Sequence, residues 1–228
     1  MKAKLTIGLL VLALLCSCAT NINKVNADGS PIWTTVIPES NKVIYGVGKA
    51  KLSTESNSQM SADANARADL ARKIDVSIKE SITNYTNDAA GVVKNAYEQL
   101  LIEVVSVTMK GVTVEQRWTS PDGTVWSLVS FPVKKLPSLY ADSANDFKNK
   151  LAEKKIAADN KLEAQKLEIS KDKTLTDAQI AELLAMAESL KKKNTSDVDA
   201  ILLGIDGQRD ADSISKYLAT LGFDLSDN

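Results

Sequence analysis

The chain has 228 residues, 28 basic and 29 acidic side chains, no histidine and two cysteines. A net charge of −1 provides no electrostatic footprint for nucleic acid and no polybasic attraction to anionic lipid. An aromatic share of 5% favours a helix-rich body over a large β-sandwich.

At the N-terminus, Lys2 and Lys4 precede an apolar run from Leu5 to Leu15, and Ser17 is a small residue at a cleavage position. This is the layout of a secretory signal. A helix of that run spans about 16 Å, roughly half of a bilayer core, so it is too short for a permanent anchor. Cys16 follows Leu15, which is too bulky for the residue before a cut, whereas Cys18 follows Ser17. Residues 1–17 are therefore expected to leave as a signal peptide, and Cys18 to be acylated as the first residue of a lipoprotein. Fatty acyl chains such as palmitate contribute about 0.8 kcal/mol per buried methylene, so two or three chains on Cys18 anchor durably. Ala19 directs the expectation to the outer membrane, because aspartate at that place is the usual signal for inner-membrane retention.

Cleavage leaves 228 − 17 = 211 residues, with the only remaining cysteine blocked by lipid and no histidine. Cys-His catalysis, histidine acid/base work, disulfides and Cys/His zinc sites all lose their residues. A two-carboxylate or serine–lysine hydrolase survives on composition alone, and no spacing selects its residues. The expectation is a protein that is not an enzyme, with no catalytic residue, cofactor or metal.

Residues 18–31 lack an apolar period and read as a lipidated flexible tether. Lys42 to Lys49 form a β-branched and aromatic run closed by Gly46 and Gly48, a predicted strand. Gly46-Val47-Gly48-Lys49-Ala50 is not a phosphate loop, because Val43 and Ala50 stand where a glycine and a Ser/Thr are needed. Small residues there instead let a strand pack closely under a helix.

Ser53 or Thr54 is a predicted N-cap for a long helix with a stripe of Met60, Ala64, Ala68, Ala71, Ile74, Ile78, Ile82 and Tyr85. A second period runs Val92, Ala96, Leu100, Val104 and Val107, with an uncertain helix-to-strand boundary at its β-branched tail. Strand alternation follows, with Val112, Val114, Gln116 and Trp118 expected to share a face with Val125, Ser127, Val129 and Phe131 across the turn Ser120-Pro121-Asp122-Gly123. A one-residue slip in pairing would overturn that face assignment. On the opposite face Arg117, Trp126 and Leu128 are expected together, with Arg117 over Trp126 as a cation–π pair. With Trp33, these residues form a candidate surface for glycan or protein, unless the long helix covers them.

Pro31-Ile32-Trp33, Val43 to Ala50, the alanine-rich Ala62 to Ala71 and the Asp122-Gly123 hairpin together resemble the LPP20-type bacterial lipoproteins. The resemblance covers roughly residues 31 to 135. It implies an α+β fold: a small antiparallel sheet in strand-helix-strand-strand order packed on a long helix, held at the outer membrane by lipid and without recognised enzymatic activity. Relatives include surface antigens and flagellar accessory lipoproteins that assemble into rings or disks. The expected α+β domain spans residues 32–136.

Beyond it, residues 137–173 read as a charged helical arm, lying on the body, lying on a neighbouring copy or simply solvated. Residues 174–228 read as a small helical region of three short helices, the first opened by a Thr176/Gln179 capping box. Asp206, Asp210 and Asp212 lack calcium-loop spacing and are expected to be capping carboxylates. The functional expectation is a structural or protein-interaction role at the cell envelope, through self-association or an envelope partner. The alternative is a binding module for glycan or a hydrophobic ligand.

Overall fold

The computed structural model describes residues 22–82 and 91–226. Cys18, the signal peptide, and Tyr85 at the end of the predicted stripe lie outside them.

The elements in chain order are β1 (Val43–Ala50), α1 (Glu55–Ser81), α2 (Val92–Lys110), β2 (Thr113–Thr119), β3 (Val125–Pro132), α3 (Leu136–Lys171), α4 (Asp177–Gly204) and α5 (Gly207–Thr220). β3 lies between β1 and β2, antiparallel to both, so this is an α+β fold with a three-stranded sheet and a helical C-terminal half. The strand-helix-strand-strand order predicted for the sheet holds, with α2 inserted between α1 and β2.

α1 crosses one face of the sheet at very short range, and glycine makes that approach possible. A methyl group built on Gly48 would lie 2.1 Å from the Ala66 backbone nitrogen, and one on Gly46 would lie 2.4 Å from the Ala66 carbonyl oxygen. Both obstacles are backbone, which cannot swing aside as a side chain can. Opposite the glycines α1 presents Ala62 and Ala66, fully buried, followed by Leu70, Ile74 and Ile78 as the space widens. Each of the larger three contributes about 1.5–3 kcal/mol by leaving water. The predicted stripe is therefore two residues out of phase in its first half. Met60 is 70% exposed, whereas Ala62, Ala66 and Leu70 face the sheet. Counting back from the isoleucines alone gives the right phase; treating every alanine as equivalent loses it.

At the start of α1 the Thr54 hydroxyl accepts from the Asn57 amide at 3.2 Å, as expected of the N-cap. α2 remains helical through its β-branched tail to Lys110 and buries Tyr97, Leu100, Leu101 and Val104. Here burial outweighs β-propensity.

The hairpin departs from the predicted register. Trp118 pairs with Trp126 and Gln116 with Leu128, while Val114 pairs with Val129; the intervening shift is a β-bulge at Glu115. An extra residue in one strand exchanges the two faces for everything on one side of it. Val114 keeps its predicted face, but Gln116 and Trp118 move to the other face and Arg117 turns toward α1.

The C-terminal half also differs. Residues 177–204 form one helix rather than two short ones, opened by the expected Thr176/Gln179 capping box. α5 does not close a separate small core. Ile205, Ile214 and Leu218 join the main core with Tyr97, Leu101, Tyr140 and Phe147. The base of α3 enters the same core, and past Phe147 that helix buries no further residue. Over its distal length α3 runs beside α4, which buries only Ala187 and Val198. The pair is a long helical arm on a dense body.

Candidate interaction surfaces

The stretch expected to be a tether is, over residues 22–31, a closed turn. Val25 bridges Pro31, the Asn26 amide donates to the Ser30 carbonyl at 2.7 Å, and the Ile32 amide donates to the Lys24 carbonyl at 2.8 Å. The turn delivers Trp33, in a single 3-10 turn, onto the sheet face that α1 leaves open. Trp33 is only 1% exposed, and its indole nitrogen donates to Gln116 Oε1 at 2.7 Å. Gln116 in turn donates from Nε2 to Asn23 Oδ1 at 2.8 Å. The glutamine that the bulge brings to this face therefore ties down both Trp33 and the entering chain. Trp33 is a structural cover, inaccessible to a partner.

Beside this cover runs an open groove of about 540 Å³, lined by Trp118, Trp126, Lys49, Thr34, Thr35 and Pro121 among others. Trp118 and Trp126 stand opposite each other on neighbouring strands, and both are half-buried. The cation over Trp126 is Lys49, its ammonium 4.8 Å from the ring centroid, and not Arg117. Such a contact contributes about 0.5–1 kcal/mol when exposed. One wall of the groove is the turn Ser120–Thr124, where the Asp122 carboxylate accepts from the Ser120 hydroxyl and from the Thr124 amide, the latter at 3.0 Å. These bonds hold the Asp122 carboxyl well below the usual carboxylate range.

Arg117 lies on the other face. It forms a two-point pair with Asp63 of α1, at 2.9 and 2.5 Å, and Asp63 also accepts from the Ser127 hydroxyl at 2.7 Å. The hydrogen bond from Arg117 is the main cause holding the Asp63 carboxyl below its ordinary value. The structure thus does not bring Trp33, Arg117 and Trp126 together. One is covered, one clamps the helix to the sheet, and Trp126 is left with Trp118 and Lys49.

A buried polar cluster joins α2, α3 and α5. Asp210, 2% exposed, accepts from the hydroxyls of Tyr97 at 2.9 Å and Tyr140 at 3.2 Å, and pairs with the Arg209 guanidinium at 2.9 Å. Burial is the main cause raising both tyrosine hydroxyls far above their ordinary value, with the Asp210 charge adding to it. Neither hydroxyl loses its proton near neutral pH, so the cluster is a structural lock. Capping explains Asp206, which accepts from the Gln208 and Arg209 amides, but not Asp210. Only the packing of three distant helices reveals the role of Asp210, which local sequence could not supply. Among the described residues no group of acidic side chains is arranged to hold a metal ion.

A second, larger groove of about 810 Å³ lies between Ile37–Asn41, the start of β1 and Leu221–Phe223. Its one ammonium, on Lys73, is engaged by the Tyr45 carbonyl and by Asp69, each at 2.8 Å.

The arm is different in kind. Its two helices are joined by the ion pairs Lys166–Glu188, Lys191–Glu163 and Lys155–Asp199. Yet Leu183, Met186 and Leu190 of α4 remain 38%, 57% and 63% exposed. At 3.6 residues per turn these three fall on one flank of α4, beside the side turned to α3, and Glu182 and Lys193 border that strip. No described helix is long and apolar enough to cross a membrane.

Comparison with known proteins adds one finding. Residues 31–131 match the family model described as LPP20 lipoprotein, from the turn that seats Trp33 to the last part of β3. A search of the curated proteins gives no match. The family match supports a lipoprotein, anchored by lipid at the cell envelope through a cysteine. The matched segment holds the sheet, α1 and α2; the arm and α5 lie beyond it.

Proposed function

We propose that this protein is an outer-membrane lipoprotein, acylated on Cys18, that works by binding rather than by catalysis and carries a structural role through its arm. The absence of histidine and the consumption of the last thiol by the lipid support the non-enzymatic part of the reading. The observation that carries the binding part is the exposed strip Leu183, Met186 and Leu190, on a helix outside the family-matched body. An apolar strip of this kind on a two-helix arm is a partner-binding face.

The order of charges along α4 favours a second copy of the chain as that partner. Over residues 177–193, the part that carries the strip, Asp177, Glu182 and Glu188 come first and Lys191, Lys192 and Lys193 follow; Asp197 and Asp199 lie beyond it. Two α4 helices packed antiparallel about Met186 place Leu183 opposite Leu190, and Glu182 within a turn of the partner's Lys193. Two-fold symmetry forms each of these contacts twice. Among the described residues neither Glu182 nor Lys193 has an ion-pair partner, so both are available for this arrangement.

The test is site-specific cross-linking in cells with a photoreactive residue in place of Met186. The expected product has twice the mass of the chain. An adduct with a different envelope protein retains the binding role and rejects self-pairing; no adduct rejects the arm as the binding element. Membrane fractionation tests the location, and recovery solely with inner-membrane markers would contradict it.

A further inference from the structure

The lipid anchor and the tryptophan groove are joined by a short stretch of chain. Asn23, latched by Gln116, marks where the body begins. Only four residue steps separate Ile22 from Cys18, and a chain of that length spans at most about 14 Å even when fully extended. Trp118 lies two residues along β2 from Gln116 and on the same sheet face, about 7 Å away. Five residue steps from Cys18 to Asn23, the side-chain bridge from Asn23 to Gln116 and the two-residue step along β2 together keep Trp118 within about 35 Å of the acylated cysteine, on the side of the sheet where the chain enters. α1 occupies the other face of the sheet, so the groove rather than the helix is turned to the side where the chain enters.

The residues there suit a lipid–water interface. Tryptophan has an apolar body with a polar edge and partitions to the headgroup level, while lysine extends its ammonium to phosphate along an apolar stem. Lys49 lines the groove and is exposed; Lys24, next to the latched Asn23, is also exposed, and among the described residues its side chain makes no hydrogen bond or ion pair. The acids bordering the groove are already engaged. Asp28 accepts from the Ser30 amide and hydroxyl, and Asp122 accepts from Ser120 and Thr124 and pairs with Lys51 at 3.6 Å.

We propose that this groove is a membrane-contact face. Trp118 and Trp126 enter the headgroup region of the bilayer that holds the lipid, and Lys49 and Lys24 meet lipid phosphates. A lipid surface fits better than a free ligand, because the short stretch between Cys18 and Asn23 confines this face to the neighbourhood of the bilayer whatever else the protein binds. The proposal rests on acylation of Cys18.

The experiment uses the full lipidated protein in vesicles of phosphatidylethanolamine and phosphatidylglycerol that carry a phospholipid spin-labelled at the headgroup. Tryptophan emission should fall at least twofold relative to unlabelled vesicles. In a Trp118→Phe/Trp126→Phe variant the remaining signal, from the covered Trp33, should fall by less than a fifth while flotation with vesicles persists. Flotation of the wild type without quenching overturns the membrane-contact face and leaves the anchor intact. Failure to float overturns the anchor and this proposal with it. Emission that changes with peptidoglycan fragments but is unquenched by labelled vesicles makes the groove a glycan site and overturns the proposal.

Discussion

The body and the arm are both helix-rich, yet opposite conditions hold them together. In the body, α1 approaches the sheet so closely that a methyl group on Gly46 or Gly48 meets backbone, and a buried aspartate ties three helices together. In the arm, exposed ion pairs and a capping box hold two helices that bury little, and an apolar strip stays in water. The contrast teaches that the body buries its apolar side chains within the chain, whereas the arm leaves apolar surface uncovered.

Substitutions can break that comparison, and the largest effect belongs to the glycines. Gly48→Ala should cost at least about 3 kcal/mol, since strand and helix must separate to admit one carbon. Urea unfolding measures this directly; a loss below about 1 kcal/mol would mean the sheet and α1 are less tightly seated. Asp210→Ala comes next, at about 3 kcal/mol, because Arg209, Tyr97 and Tyr140 lose their shared partner.

The same lock gives an alkaline signature. Tyr97 and Tyr140 have raised values in the folded state, so their contribution is complete below the unfolded tyrosine value of about 10 and falls as pH rises beyond it. Melting temperature should therefore decline above about pH 10, and less steeply in Tyr140→Phe. Asp63 works in the opposite direction. Its lowered carboxyl stabilises the fold above about pH 4, and the contribution disappears as pH falls through the folded value. Because Arg117 is about half exposed, Arg117→Ala should cost no more than about 1 kcal/mol. The smallest effect on global unfolding belongs to the arm: Thr176→Ala should cost about 1 kcal/mol locally, seen as faster amide exchange at the start of α4 with the body's unfolding midpoint unchanged.

Much of this is legible in the sequence because it depends on local chemistry. The glycines of β1, the Thr54 and Thr176 caps and the Asp122-Gly123 hairpin each announce themselves within a few residues. The phase of α1 is harder to read, because alanine marks close packing and exposed helix equally well. The bulge at Glu115 carries no local signal, and it alone decides that Trp118 joins Trp126 while Arg117 joins Asp63. Asp210 reads as a cap because its partners Tyr97 and Tyr140 are far away in sequence. Of the three residues read as a candidate surface, the structure places Trp126 in the open groove with Trp118 and Lys49, and places Trp33 and Arg117 elsewhere.

The most direct test of the claim that the arm pairs with a second copy of the chain is sedimentation equilibrium of the leaderless chain at micromolar concentration, comparing wild type, Glu182→Lys, Lys193→Glu and the combination of both. Self-pairing through α4 predicts a dimer for the wild type, at least tenfold weaker association for each single variant, and recovery in the double variant with the charges exchanged. A wild type that sediments as a monomer, or a dimer indifferent to all three variants, would contradict it.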